Sequence, residues 1–189
     1  AWSCAFMGLD KKLLKSLFSS SGKVLEIGTG KLSQTGLIFK KSTKIELGIY
    51  SGNSQKNKIK DLLQNKYKDD KKVFITECDF NNLQGQFEII IMKSILGGIY
   101  KENKSTINDV KIGIEKIINE NLVPGGLLIS LDNGYGFLHK FTKNYGARKN
   151  HWRFFKPKSL HNKYIINQSC FAYFSSFSFQ TRIPLIGEF

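Results

Sequence analysis

The chain has 189 residues, 41% of them hydrophobic, which suits one domain with a proper core and excludes a disordered tail. Its formal net charge is +14, but all except three of its 29 basic residues are lysines, the exceptions being Arg148, Arg153 and Arg182. Arginine is the better residue for forked phosphate and base recognition, so the charge admits a polyanion-binding face without requiring one.

In chain order, Ala1 to Leu9 lacks the basic start of a signal peptide. Leu9 to Ser19 spaces Leu13, Leu14, Leu17 and Phe18 as a helix does, and Ser20, Ser21 and Gly22 end it. Val24 to Ile27 predicts a short buried strand. Leu32 to Lys40 predicts a helix with Leu37 and Ile38 inward, and Thr43 to Tyr50 a second strand. The Ser51-Gly52-Asn53-Ser54 stretch has helix-start chemistry, so a polar helix is expected over Gln55 to Asn65, packing Ile59, Leu62 and Leu63. Val73 to Ile75 is a third strand, Asn81 to Gln86 a turn, and Phe87 to Met92 a fourth strand apolar enough to be covered on both faces. Thr106 to Asn119 carries Ile107, Val110, Ile114, Ile117 and Ile118 at helical spacing. "NLVPGG" breaks that helix before a fifth strand over Leu127 to Leu131. Beyond Asp132 the rhythm loosens. Pro157 to Ile166 predicts one more helix, and the segment from Cys170 to Leu185 one or two final strands.

Strands alternating with helices predict an α/β fold: an open, mostly parallel, Rossmann-like sheet of about seven strands with helices on both faces. No internal repeat or linker divides the chain, so residues 1–189 are read as a single domain. No apolar run reaches membrane-span length. Cys4, Cys78 and Cys170 are too few and too far apart for a disulfide framework or a zinc site, which points to a reducing, cytoplasmic compartment and to no metal.

The stretch with most chemistry is "KVLEIGTGKLSQTG", Lys23 to Gly36. In open parallel sheets, ligands settle at the carboxyl ends of the strands, and Gly28 and Gly30 let backbone approach a ligand there. The spacing of a phosphate-cradling loop is absent. A dinucleotide fingerprint would have a glycine where Ser33 stands. Glu26 at the strand tip would repel a pyrophosphate and suits a ligand with a cationic amino group.

"VLEIGTG" resembles motif I of the class I S-adenosylmethionine-dependent methyltransferases. "LGIYSG", "CDFNNL", "FEIIIMKSILGGI" and "LVPGGLLIS" resemble the later segments of that family in order and spacing, from about Gly22 to Gly134. The resemblance implies an enzyme that uses S-adenosylmethionine and releases S-adenosylhomocysteine. It divides the chain into an N-terminal helical segment (1–22), a cofactor-binding core (23–132) and an acceptor-side region with the last strands (133–189). It implies that Gly28 and Gly30 line the methionine and ribose portion, that Ile27 and Thr29 beside them also bind the cofactor, and that Glu26 orients the amino group. Asp79 would accept from the adenine amine, with Phe80 donating its backbone N–H to the ring. Tyr50 and Ser51 would flank the ribose, and Lys93 and Ser94 would border cofactor and acceptor. Two departures bear on affinity. Tyr50 stands where the family has a ribose-binding acid, a role Glu46 takes only if the strand ends earlier. Leu32 stands where many relatives have a third glycine.

Methyl transfer from a sulfonium needs alignment and exclusion of water, and a base only when the acceptor carries a proton at attack. The base candidates are Asp132, His139 and His151, and the aromatic residues between Tyr135 and Phe155 could wall an acceptor site or form a lid. The loop after strand four lacks the proline pair of base-amine methyltransferases. The expected acceptor is therefore a small or lipid-like molecule, with RNA methylation through the lysine-rich surface and a non-catalytic scaffold as alternatives.

Overall fold

The computed structural model describes residues 21–31, 33, 35–93, 95–132, 149–156, 159 and 160. The expected helix over Leu9–Ser19, the strands after Cys170 and all but residues 159 and 160 of the helix expected over Pro157–Ile166 lie outside the described residues. Five parallel strands form one sheet: β1 (Lys23–Ile27), β2 (Lys44–Tyr50), β3 (Val73–Cys78), β4 (Phe87–Lys93) and β5 (Leu122–Leu131), in the order β3-β2-β1-β4-β5. The chain order reverses between β1 and β4, and every strand ends at the same edge. That is where an open α/β sheet offers a crevice.

The helices are α1 (Thr35–Ile38), α2 (Lys56–Lys66), α3 (Leu96–Ile99) and α4 (Ile107–Asn121). The twofold alternation of strand side chains splits the core into two layers. One layer packs Val24, Ile45, Leu47, Ile49, Ile89 and Ile91 against Ile59 and Leu63 of α2. The other packs Leu25, Ile27, Ile90 and Met92 against Leu96 of α3 and Val110, Ile114 and Ile117 of α4. β4 is apolar without interruption from Ile89 to Met92 because helices cover both its faces.

Several boundaries differ from the sequence expectation, each for a local reason. The Leu32–Lys40 helix shrinks to one turn at Thr35–Ile38, and Leu37 faces solvent, 49% exposed. The Ser33 and Thr35 hydroxyls are committed to Glu26 instead of to helix continuation. Leu62 also faces out, because Ile59 and Leu63 suffice to seat α2. β3 extends to Cys78, held by parallel pairing with β2 to its end. α4 runs two residues past its expected stop and passes directly into β5, which starts at Leu122 and absorbs Pro124-Gly125-Gly126 as a register shift against β4. α3 was not visible as an element in the sequence. No helix among the described residues is long and apolar enough to cross a membrane.

Candidate functional site

The site is built on the tip of β1. Gly28 has φ +76°, a conformation that L side chains avoid, and it turns the chain out of the strand. The N–H groups of Gly28 and Thr29 both donate to the Gly48 carbonyl of β2 at 3.0 Å, which locks the turn to the neighbouring strand. Gly48 has no side chain because Cys78 of β3 lies 2.7 Å from where its Cβ would stand. The Thr29 hydroxyl turns inward and donates to the Glu26 carbonyl at 3.2 Å. Around Gly30 the space is open, with no atom within 4 Å of a Cβ placed there.

Glu26 is fully buried, 0% exposed, on the layer facing α1 and α2. Its Oε2 accepts from Ser33 Oγ at 2.5 Å and from Thr35 Oγ1. Its Oε1 faces Lys93 Nζ, at the end of β4, at 2.5 Å. A buried carboxylate costs several kcal/mol unless it is paired, and these contacts provide the pairing. The Ser33 carbonyl accepts from Tyr67 Oη at 3.0 Å and from Lys66 Nζ. Burial, reinforced by the Glu26 charge, pushes the Tyr67 hydroxyl up to about 12. Desolvation lowers the Lys66 ammonium, Glu26 pulls it back up, and Lys93 pushes it down. Two ammonium groups therefore share the field of one carboxylate.

The other sequence-derived residues divide between that edge and elsewhere. Ile27 is buried in the α4-side layer and supports the turn from below. Tyr50 ends β2, half exposed, with its ring against Gly52. Ser51 follows it and donates its N–H to the Cys78 carbonyl at 3.3 Å. Because β2 continues to Tyr50, Glu46 lies mid-strand beside Leu25 and pairs with Lys44 at 2.6 Å, so it is not at the tip. Asp79 follows β3; its Oδ1 accepts from the Asn81 N–H at 3.0 Å, and the side chain is exposed. Phe80 is buried and meets Tyr100 edge-on, with ring centroids 5.8 Å apart.

On the acceptor side, Asp132 Oδ1 accepts from the Gly97 N–H at 3.2 Å and its Oδ2 accepts from Ser130 Oγ at 2.9 Å. Burial raises its pKa, against the pull of those donors. It anchors the start of α3. His151 is exposed, with φ +59°, and its carbonyl accepts from the Glu102 N–H at 3.0 Å. Ser94 and His139 lie outside the described residues, as do Tyr135, Phe137, Phe141 and Tyr145. The segment carrying Trp152 and Arg153 packs on the loop after β4. The Arg153 N–H donates to the Gly97 carbonyl at 2.9 Å, and Trp152 lies 3.0 Å from where a Gly98 Cβ would stand. The two glycines are there for this close approach. Phe155 is buried in the core.

Sequence reasoning missed Ser33, Thr35 and Ile95. The hydroxyls sit seven and nine residues from Glu26, a separation no local periodicity singles out. Ile95 Cγ1 lies 2.7 Å from where a Gly28 Cβ would stand, so it covers the turn. A surface cavity of about 370 Å³ lies between the turn after β3 and α4, but it shares only Phe80 with the site, and none of its walls belongs to the glycine turn. At the tip of β1, Lys93 pairs with Glu26 and Ile95 covers Gly28. No group of three or more His, Cys, Asp and Glu side chains among the described residues is placed to hold a metal.

No family profile matches the sequence. No curated protein matches it in sequence either. Solved structures match its fold. A S-adenosylmethionine-dependent methyltransferase from Clostridium acetobutylicum ATCC 824 superposes with a TM-score of 0.52 at 19% identity, over 75% of this chain and 52% of that one. The mitomycin 7-O-methyltransferase MmcR superposes with a TM-score of 0.50 at 16% identity, over 76% of this chain and 44% of that one. The chain thus spans about half the length of the structures it matches. The fold is the Rossmann-like α/β fold of these proteins.

Proposed function

We propose that this chain, which has the fold of solved S-adenosylmethionine-dependent methyltransferases, is itself one and binds S-adenosylmethionine at the tips of β1 to β4. The observation that carries the reading is Glu26: a fully buried carboxylate beside a glycine turn, at the edge where the strand order reverses. Its charge is paired by Lys93 within the chain, and the same carboxylate can pair the ammonium of a ligand. It is the complement of a cation.

The residues present fit the cofactor's polar groups. Glu26 would take the amino group, the open side of Gly30 would admit the ribose, and the exposed Asp79 carboxylate would receive the adenine amine. Tyr50 offers the ribose one hydroxyl where an acid would offer two oxygens, which lowers the expected affinity. When bound, the cofactor supplies a methyl group on a positively charged sulfur. The chain's part is alignment and dryness. Gly28 and Thr29 fix the turn, Asp132 anchors the loop after β4, and Trp152 walls its outer side.

We further propose a small-molecule acceptor. The Trp152–Arg153 segment closes over Gly97 and Gly98, which suits a compact pocket better than an open groove. The fold likeness to the mitomycin 7-O-methyltransferase MmcR points the same way.

Isothermal titration with S-adenosylhomocysteine tests the reading. Binding to the wild type is expected, weakened by about 1–3 kcal/mol in Asp79→Ala through loss of a hydrogen-bonding partner. Absence of heat at millimolar ligand would refute the cofactor assignment.

A further inference from the structure

We propose that Lys93 is a competitor built into the site. Its ammonium holds the place on Glu26 Oε1 that a ligand's α-ammonium would take, so the ligand enters by exchanging one cation for another. This rests on the cofactor reading above and adds to it a mode of control.

The Glu26 carboxylate has no exposed surface, so a ligand reaches it only by displacing something. Oε2 is held by two donors at once, Ser33 and Thr35, so freeing it means breaking both contacts. The Ser33 carbonyl in turn accepts from Lys66, the last residue of α2, and from Tyr67, which follows it. At Oε1 the only partner among the described residues is Lys93, 13% exposed, at the end of a four-carbon stem on the last residue of β4. Its long stem lets the ammonium swing clear while its backbone stays in the strand. Two residues later Ile95 covers Gly28, so one loop closes both the ionic and the steric half of the cradle.

The exchange conserves charge. Glu26 is never left alone, which would be costly in this environment. Only a ligand carrying its own ammonium can complete it. The apparent affinity is reduced by the fraction of molecules in which Lys93 is already withdrawn.

Lys93→Met tests this directly. Titration with S-adenosylhomocysteine should show binding at least about tenfold tighter than wild type, since the competing state is gone. Methylthioadenosine, which lacks the amino-acid end, should bind both forms equally. Lys93→Arg, which keeps a competing cation on Glu26, should show no gain over wild type. Lys93→Met strips Glu26 of its partner, and where it fails to fold the wild-type chain supplies the readout. Acylation of Lys93, followed by peptide mass spectrometry, should accelerate when S-adenosylhomocysteine is added. Unchanged or weaker binding by Lys93→Met, an equal gain for methylthioadenosine, or unchanged or slower acylation overturns this inference and leaves the cofactor reading standing. No binding by the wild type or by any variant overturns both.

Discussion

At the scale of single residues, Glu26 organises its surroundings. Four side chains from three parts of the chain orient around its charge: Ser33 and Thr35 donate to it, Lys93 pairs with it, and Tyr67 feels it. Tyr67 makes this measurable. Its folded pKa is raised above the ordinary tyrosine value to about 12, so its contribution to stability is fully present below about pH 10 and is lost as pH rises through about 12. Ultraviolet titration should show one tyrosine ionising that late, absent in Tyr67→Phe. In Glu26→Gln it should ionise earlier, and no movement there would mean that burial alone sets the shift. Gly28 is the second residue whose identity is dictated. Gly28→Ala forces a side chain into a left-handed conformation, at about 1–2 kcal/mol, and presses it on Ile95. Urea denaturation should register at least that loss. A neutral result would mean that the turn relaxes.

At the scale of elements, the ends decide more than the middles. α4 begins with a capping box, in which the Thr106 hydroxyl accepts from the Asp109 N–H at 3.2 Å and the Asp109 carboxylate accepts from the Thr106 N–H at 2.7 Å. Thr106→Ala should lower stability by about 1 kcal/mol, measured by denaturant midpoint. The hydrogen bonds from Thr106 hold the Asp109 carboxyl below the usual carboxylate range. The capping contribution is therefore present above the ordinary aspartate pKa and disappears as pH falls through the lowered one. Repeating the comparison in acid should shrink the gap between Thr106→Ala and wild type. The one-turn helix α1 shows the opposite case. The hydroxyl of its first residue, Thr35, serves Glu26, and the helix is a single turn.

At the scale of the whole molecule, one sheet edge gathers the tips of strands that are far apart in sequence, and a ligand bridging them should stabilise the fold. Free S-adenosylhomocysteine at about a hundred times its dissociation constant should add about 2.7 kcal/mol to unfolding. The +14 net charge acts at the same scale. With lysine supplying nearly all of it, RNA affinity should be weak and fall steeply with salt, while cofactor affinity stays nearly constant. Gel-shift and calorimetric titrations across a salt series separate the two. Tight RNA binding at physiological salt would favour the RNA reading over a small-molecule acceptor.

The alternation of apolar runs and helical spacings was enough to read the parallel sheet and the two-sided helical cover, because buried strands and amphipathic helices are written in local periodicity. The glycine turn and the acid before it were legible for the same reason: they are neighbours in the chain. What faces that acid was not. Lys93 lies 67 positions from Glu26 and Tyr67 lies 41, and only the pairing of β1 with β4 and the packing of α2 bring them within reach. Spacing alone makes Leu37 and Leu62 inward, yet both are exposed, since which apolar residue meets the sheet depends on how the helix is seated. The backbone scaffold follows from local sequence. The electrostatic partners follow from strand order, which no window of neighbouring residues contains.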